Sequence, residues 1–295
     1  MIKYLVKWIY GLIPAWILLR TPLSKFIHNK PLPSSVQSFE IKPTKTRLTA
    51  DNSPIVRLAF WKGVSGYEPN ELSLYIKLCA RVNSVCEIGG NIGYFTIFGA
   101  SANQKRYTVY EPLPYNFSLL KENIELNQLE FVECYNSAVV GNEDVKFIKL
   151  FTPKAESYGA ATGGFIEGAE SINRAVGTTH TVSAISSKIA ISDFELIKID
   201  VEGAEFEILS SAESQLAKSQ SIILVEMRRG TTKLRRWITS YVGNYGHKIF
   251  VLSEYDNCIY EISVDKVADI VLQEEYGTRD IIICPKDKSH IVLQP

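Results

Sequence analysis

The sequence lacks several features that would point to common classes of protein. Its 295 residues carry no net charge, because 32 lysines and arginines balance 32 acids. A general nucleic-acid-binding role therefore has no electrostatic support. None of the five cysteines belongs to a C-x-x-C pair, and no zinc-ligand spacing is present. We expect the cysteines to be small buried side chains in a reducing, cytoplasmic compartment. We expect no metal to be required, and a divalent cation held by paired acids stays open as an alternative.

Long hydrophobic runs are also scarce. The uncharged run at residues 8–19 has twelve residues, too few to span a bilayer, and no small-residue cleavage site follows it. Apolar residues at steps of three and four predict a helix over residues 1–16. Residues 1–47 hold eight lysines and arginines against one acid. Two interpretations stay open: the helix packs on its own domain, or residues 1–30 contact the inner face of a membrane.

The prolines and hydroxyl side chains between residues 29 and 46 predict a linker. The chain then divides into a basic amphipathic extension with its linker, residues 1–46, and one large domain, residues 47–295. At the start of that domain, residues 47–61 predict a hairpin about the D-N-S-P turn at residues 51–54. A short amphipathic helix is expected over residues 71–79.

A glycine-rich turn organises the domain. Residues 82–88 predict a buried strand, Gly89 and Gly90 a turn, and residues 92–102 a helix whose first N–H groups face that turn. A dinucleotide fingerprint would need glycine where Asn91 and Tyr94 stand. A phosphate site would also place Lys or Arg beside the glycines, and residues 86–101 contain neither. Glu87, at the strand end, instead favours a cationic or amino-bearing ligand.

Strand and helix patterns alternate after this turn. Strands are predicted at 106–111, 131–135, 145–151, 195–200, 221–226, 247–252, 257–262 and 280–284, and helices at 113–127 and 204–216. Such alternation predicts an α/β fold with a doubly wound, mostly parallel sheet covered on both faces. Residues 152–177 have no periodicity and are expected to form a long loop or lid.

Acidic residues end four of the predicted strands: Glu87, Glu111, Asp200 and Glu226. The carboxyl ends of the strands in such a sheet meet at the ligand crevice. Glu111 ends the strand after Glu87, where a carboxylate can accept both hydroxyls of a ribose. The pattern indicates a crevice for a nucleoside-bearing ligand with positive charge.

Several motifs resemble the FkbM family of S-adenosylmethionine-dependent methyltransferases. They are EIGGNIGYFT at 87–96, YEPLPYNFSLLKENIELN at 110–127 and LIKIDVEGAEFEIL at 196–209, with weaker matches in ILVEMR at 223–228 and GYEP at 66–69. The resemblance implies a class I methyltransferase fold, a seven-stranded, mostly parallel, Rossmann-like sheet whose last strand is antiparallel. It also implies S-adenosyl-L-methionine as cofactor and O-methylation of a sugar, glycan or natural product.

The resemblance also implies roles for individual residues. The residues expected to surround the methionine part of the cofactor are Glu87, Gly89, Gly90, Asn91 and Gly93. Glu111 would bind the ribose, Ser137 and Ala138 would flank the adenine, and Asp200 would lie beside the sulfonium. The chain departs from the family pattern where Gly90 replaces the usual Ala, where Glu87 replaces Asp, and at residues 181–187, which lack the acids of a T-L-D-D-like stretch.

Three residues are candidates for the proton transfer that methylation of a hydroxyl needs. If the backbone stays extended after the strand, Asp200 and Glu202 point to the same side, and two acids sharing a proton raise one pKa towards that of a useful base. Lys198 lies deeper and is expected to pair with one of these acids. His180, near the end of the predicted loop, is the alternative base. Other functions left open are an inactive membrane-associated binding module on the same fold and a nucleotide-dependent oxidoreductase.

Overall fold

The computed structural model describes residues 32–51, 53–153, 165–166 and 176–293. The predicted N-terminal helix and most of the predicted loop at 152–177 lie outside these residues. No helix in the described part of the chain has the length and apolar character needed to cross a membrane.

The described strands and helices follow the alternation that the sequence predicts. The strands are β1 (Ser38–Glu40), β2 (Arg47–Thr49), β3 (Ser84–Ile88), β4 (Arg106–Tyr110), β5 (Glu133–Tyr135), β6 (Ala138–Val140), β7 (Phe147–Pro153), β8 (Phe165–Ile166), β9 (Val176–Ser186), β10 (Leu196–Ile199), β11 (Ile222–Glu226), β12 (His247–Leu252), β13 (Ile259–Ile262) and β14 (Asp280–Pro285). The α-helices are α1 (Pro54–Lys62), α2 (Pro69–Arg81), α3 (Tyr94–Ala102), α4 (Pro114–Leu126), α5 (Ser187–Ala190), α6 (Glu205–Ser211), α7 (Glu213–Ser219), α8 (Thr232–Tyr245), α9 (Leu272–Glu275) and α10 (Ser289–Leu293).

The main sheet has the strand order β13-β12-β14-β11-β10-β3-β4-β5. Strands β11, β10, β3, β4 and β5 are parallel, and β14 inserts antiparallel between β11 and β12. The expected mostly parallel, Rossmann-like α/β sheet with an antiparallel last strand is confirmed. An eighth strand extends it, because β13 pairs antiparallel with β12 at the edge.

Helices cover both faces of this sheet, so its central strands are buried runs rather than alternating ones. Every residue of β3, β10 and β11 is buried. One apolar cluster packs α2, α3 and α4 on one face, and a second packs α6 and α8 on the other. Cys79, Cys86 and Cys284 are buried as expected, but Cys258 is exposed because it lies in the β12–β13 turn.

A smaller sheet lies beside the main one, with strand order β6-β9-β7-β8. Its longest strand, β9, was not predicted, because T-T-H-T-V-S-A-I-S mixes hydroxyl and apolar residues without a clear two-residue alternation. Residues 165–166, inside the predicted loop, form β8 and pair with β7. Leu150 and Val182 of this sheet belong to a small apolar cluster that also contains Leu113. This sheet forms one wall of the crevice described below.

The predicted hairpin at residues 47–61 is wrong. Strand β2 pairs with β1, which lies inside the predicted linker, and α1 follows instead of a second hairpin strand. The Ser53 hydroxyl accepts the Val56 N–H at 3.2 Å, and Pro54 stands at the first helical position. A serine followed by a proline is as typical of the first residues of a helix as it is of a turn. Helix α8 was also missed, and the helix predicted at 204–216 is divided into α6 and α7.

Asn123 of α4 and Asn127, the residue that follows this helix, hold the N-terminal strand pair beside the glycine-rich turn. The Asn123 side chain accepts the Thr49 N–H at 2.8 Å and donates to the Ile92 carbonyl at 2.7 Å. Asn127 makes the corresponding pair of bonds to both backbone groups of Arg47. The residues before the main sheet therefore help to hold the turn in place.

Candidate functional site

The glycine-rich turn after β3 opens the crevice. The Gly89 and Gly90 N–H groups both donate to the Tyr110 carbonyl, at 2.9 and 3.0 Å, which bends the chain away from the sheet. Gly89 has φ +93°, and a Cβ there would lie 1.9 Å from the Asp200 carbonyl oxygen. Only glycine fits both conditions. The turn therefore sits directly against the end of β10.

The crevice brings most of the predicted residues together. Those that line it are Glu87, Gly89, Gly90, Asn91, Glu111, Ser137, Ala138, Asp200 and Glu202. The volume of the crevice is about 130 Å³, less than the roughly 300–1,000 Å³ of typical ligand pockets. A nucleoside-sized ligand must therefore also occupy the open part of the crevice.

Two of the candidate cofactor-binding and catalytic residues, Gly93 and His180, do not line the crevice. Gly93, with φ +85°, precedes the first residue of α3, and a Cβ there would lie 2.7 Å from Leu120 Cδ1. Position 93 therefore requires a glycine, because a side chain there would collide with α4. His180 pairs with Leu150 in the β7–β9 register, so the two share a face of the smaller sheet. Leu150 lines the crevice, but His180 does not.

Glu111 is held rigidly at the end of β4. One carboxylate oxygen accepts the Asn91 N–H at 2.9 Å, and the other accepts the Leu113 N–H at 2.8 Å. Burial raises the pKa of this carboxyl to about 7, although the two backbone donors oppose the shift. Each oxygen keeps a second lone pair that can accept a hydroxyl proton.

Glu87 is bound to a buried chain of hydroxyls. Its Oε2 accepts the Thr96 hydroxyl at 2.8 Å and the Tyr107 hydroxyl at 2.6 Å, and the Tyr75 and Tyr107 hydroxyls lie 2.7 Å apart. Burial raises the Glu87 pKa, while Lys198 and the two hydroxyls act against that rise. These hydroxyl partners gave no sequence signal, because Tyr75 and Tyr107 read as ordinary core positions.

Lys198 lies among carboxylates at the base of the crevice. Its ammonium is 3.5 Å from Asp200 Oδ2 and 3.7 Å from Glu71 Oε1, and it lies over the Phe95 ring at 4.6 Å. The expected pairing of Lys198 with an acid is thus present. Burial alone would lower the Lys198 pKa, but the negative charges of Asp200 and Glu71 outweigh it and raise the pKa.

The backbone at Glu202 is not extended, contrary to the prediction from the sequence. Its φ is +58°, so the chain turns there and the alternation argument for Asp200 and Glu202 is wrong. The Glu202 carboxylate accepts Arg228 Nη2 at 2.6 Å, and Arg228 Nε donates to Glu226 at 2.7 Å. Glu226, the fourth strand-end acid, is engaged by this arginine and does not line the crevice.

Two lining residues that the sequence did not single out carry polar atoms without partners among the described residues. Tyr94 is 2% exposed and Asn116 is 1% exposed, yet the Tyr94 hydroxyl and the Asn116 Oδ1 atom make no hydrogen bond there. Buried polar atoms are almost always paired in native structures. Their positions fit a ligand that supplies hydrogen-bond partners, as a nucleoside with an amino-acid chain would.

The fold and crevice define a Rossmann-like α/β domain with an acid-lined ligand site at the carboxyl ends of its strands. The model of the family described as "Methyltransferase FkbM domain" matches residues 87–249, more than half of the chain. The chain belongs to this family, whose members are methyltransferases that use S-adenosylmethionine. The resemblance noted in the sequence is confirmed.

Known proteins similar to this chain include one curated relative and several solved structures. "Methyltransferase 1" of Beauveria bassiana (strain ARSEF 2860) is 25% identical over 150 residues, covering 44% of this chain and 59% of the relative. The FkbM methyltransferase of Methylobacillus flagellatus KT has a TM-score of 0.43 at 10% identity, covering 68% of this chain and 43% of that one. The O-methyltransferase of Bacillus cereus, solved in complex with SAH, has a TM-score of 0.40 at 13% identity, covering 72% and 78%. This chain thus spans about three fifths of the curated relative's length.

The two adjacent glycines of the turn should differ in their tolerance of a side chain. In Gly90→Ala the only close contact of the added Cβ is with a side-chain methyl group, Val109 Cγ2 at 2.4 Å. This change should cost roughly the 1–3 kcal/mol of an overpacked core. Gly89→Ala should lower the free energy of unfolding by more, because it meets backbone and also requires an alanine at positive φ. Urea unfolding measures both.

Gly243→Ala in α8 is the matched control, since nothing lies within 4 Å of its added Cβ. It should stabilise the protein by about 0.4–1 kcal/mol. Equal losses at Gly89 and Gly90 would mean that the contact with the Asp200 carbonyl does not constrain the turn.

Proposed function

We propose that this protein is an S-adenosylmethionine-dependent methyltransferase that methylates a hydroxyl group of a small molecule, a sugar, a glycan or a natural product. The observation that carries the proposal is the crevice, which is lined by a rigidly held Glu111 and three further carboxylates. Lys198 is the only cation among the described residues that line it. Membership of the FkbM family supports the reaction class. Because the chain spans only part of its curated relative, its activity is itself part of the proposal.

The crevice suits the chemistry of this cofactor. When bound, S-adenosylmethionine supplies a methyl group on a positively charged sulfur. Glu111 would accept the ribose hydroxyls, and Ser137 and Ala138 would flank the adenine. Glu87 and the turn residues Gly89, Gly90 and Asn91 would surround the methionine part. Gly93 would allow the turn to pack against α4. The excess of carboxylates over cations in the crevice favours a ligand with two positive groups.

Asp200 is the proposed base. Its side chain is 39% exposed, whereas Glu87 and Glu111 are buried, so an acceptor reaches Asp200 most easily. The Lys198 ammonium lies 3.5 Å from one of its oxygens, and Asp200 lines the crevice. Asp200 would accept the hydroxyl proton as the oxygen takes up the methyl group. Glu202 would act through its ion pair with Arg228 rather than as a second base, and His180 is the alternative base.

Two other functions are an oxidoreductase and an inactive binding module, and a separate observation bears on each. The family match gives no support to an oxidoreductase. An inactive binding module would keep cofactor binding without turnover, so comparison of binding with methyl transfer in the same preparation distinguishes it from an enzyme.

Cofactor binding should depend on Glu111 and on pH. Ribose hydroxyls prefer the ionised carboxylate, and the Glu111 pKa is raised to about 7 in the ligand-free protein. Below pH 7 the proton must leave before binding, so affinity for S-adenosylmethionine should rise from pH 6 to pH 8 with proton release. Glu111→Ala should weaken binding by roughly 1.5–3 kcal/mol.

Calorimetry in two buffers of different ionisation enthalpy measures both the affinity and the released protons. Glu111→Gln is the control, because it keeps the shape and cannot titrate, and it should flatten the pH dependence. An unchanged affinity in the alanine variant, with the fold intact, would exclude Glu111 from the site.

Turnover should depend on the charge of Asp200. Asp200→Asn keeps the side-chain shape and removes the proton acceptor, so methyl transfer should fall by about 10²-fold or more. Binding of S-adenosylmethionine, measured by calorimetry, should change much less. Normal turnover in this variant together with an inactive His180→Ala would assign the base to the histidine of β9.

We also propose that the protein is cytoplasmic and peripheral on the inner membrane face, through residues 1–30. The support is the excess of seven positive charges in residues 1–47 and their apolar pattern. Each Lys or Arg near an anionic surface contributes about 1 kcal/mol. The protein should sediment with anionic vesicles, less so at high salt, and deletion of residues 1–30 should abolish this while cofactor binding remains. Unfolding of the truncated protein would instead assign the segment to the core.

A further inference from the structure

A second cavity, lined by arginines, lies next to the crevice. Its volume is about 660 Å³, and four arginines line it: Arg228, Arg229, Arg235 and Arg279. Glu274 is the only acid among the described residues that line it. The chain as a whole has no net charge, so this concentration of positive charge is local. It is opposite in sign to the acid-lined crevice.

Arg235 forms no ion pair with a carboxylate within the described part of the chain. This side chain is 9% exposed. Its guanidinium donates to two backbone carbonyls, those of Val267 at 2.7 Å and Arg228 at 3.5 Å, and it makes no ion pair within the described residues. Burial lowers its pKa, and the negative charge of Asp269 only partly opposes this. A buried cation without a counter-ion is costly unless a ligand supplies the negative charge.

Two further arginines lie at the mouth of this cavity with loosely held partners. Arg229 is 82% exposed and lies 3.5 Å from Glu274, and Arg279 is 51% exposed and lies 3.5 Å from Glu226. The exposed Arg229–Glu274 pair contributes little to stability at that distance. Glu226 is buried, but Arg228 Nε is its closer partner at 2.7 Å, so Glu226 stays paired without Arg279. An incoming oxyanion could therefore take over these guanidinium groups at small cost.

Helix α8 adds to the positive potential beside the arginines. It begins at Thr232, three residues after Arg229, and runs for 14 residues. It has no side-chain cap at its N-terminus and no acid in its first turn. Its first N–H groups thus carry the partial positive charge of the helix without an internal anion.

One ion pair joins this cavity to the crevice. Arg228 lines the cavity and Glu202 lines the crevice, and their side chains are bonded at 2.6 Å. A molecule with an anionic group in the arginine cavity could therefore extend past this pair towards Asp200. Guanidinium groups bind phosphate and carboxylate oxygens in pairs, which would also fix the orientation of such a molecule.

We propose that the arginine cavity binds the phosphate or carboxylate group of the methyl acceptor. The inference rests on the proposed methyltransferase function and names its substrate class: a hydroxyl compound that carries an oxyanion. The cavity sets specificity by charge, and the hydroxyl of the bound molecule reaches Asp200 in the neighbouring crevice.

Anion binding is tested on the full chain with inorganic phosphate and, in a separate arm, acetate. Each is titrated against sodium chloride at equal ionic strength, and thermal unfolding and calorimetry are the readouts. We expect saturable binding of one or both anions, weakened at least tenfold in the double variant Arg229→Gln/Arg279→Gln. Arg236→Gln is the matched control, since Arg236 is an exposed arginine of α8 that does not line the cavity.

The outcomes separate the site from a general charge effect. Equal responses to phosphate, acetate and chloride, or equal losses in the double variant and Arg236→Gln, would overturn the site. S-adenosylmethionine binding should be unchanged in the double variant and weakened in Glu111→Ala. Phosphate binding without S-adenosylmethionine binding would contradict the proposed function and leave the anion site standing.

The acceptor class is tested with the reaction product. The protein is incubated with methyl-labelled S-adenosylmethionine and a small-molecule cell extract, and the products are separated by anion exchange. We expect the labelled product to be retained, and to form at least tenfold more slowly in the double variant at limiting extract. If the labelled product is no longer retained after phosphatase treatment, its anionic group is a phosphate. If it is still retained, the group is a carboxylate. Label in the neutral fraction would overturn the inference.

Discussion

The buried ammonium of Lys198 is the interaction on which the crevice depends. Isolated buried carboxylates are costly, and the base of this crevice brings Glu71, Glu87 and Asp200 close to one another. Lys198 lies on β10, the strand beside β3, where it can compensate all three. Replacement of that charge would leave acids that must take up protons or move apart. The negative crevice is therefore possible because one cation lies at its base.

The described residues place two cavities of opposite charge on either side of a single ion pair. The crevice contains four carboxylates and one ammonium, and the second cavity contains four arginines and one acid. The Glu202–Arg228 pair stands between them, with Glu226 as a second partner of the arginine. A cationic methyl donor and an anionic acceptor would be separated by this arrangement, because each cavity attracts one and disfavours the other.

The sequence predicted those parts of the site that depend on chain connectivity. Strand-end acids such as Glu111 and Asp200 lie in the crevice because parallel strands must end at the same edge. The sequence could not predict partners that come from distant segments of the chain. These are the hydrogen bond from Tyr107 to Glu87 and the ion pairs Lys198–Glu71 and Arg228–Glu202. Local geometry caused the other errors. Glu202 adopts a positive φ that breaks the expected alternation, and Ser53-Pro54 starts a helix where a turn was expected.

The backbone and the side chain of Asp200 have different tasks, which links the turn to the chemistry. The Asp200 carbonyl lies against Gly89, its N–H donates to the Ile88 carbonyl at 3.0 Å, and its carboxylate faces Lys198. A displacement of the turn therefore moves the proposed base relative to its ammonium partner. Shifts of about 1 Å at a reacting centre cost large factors in rate. A side chain at position 89 should thus reduce turnover through Asp200 even in molecules that remain folded and bind the cofactor.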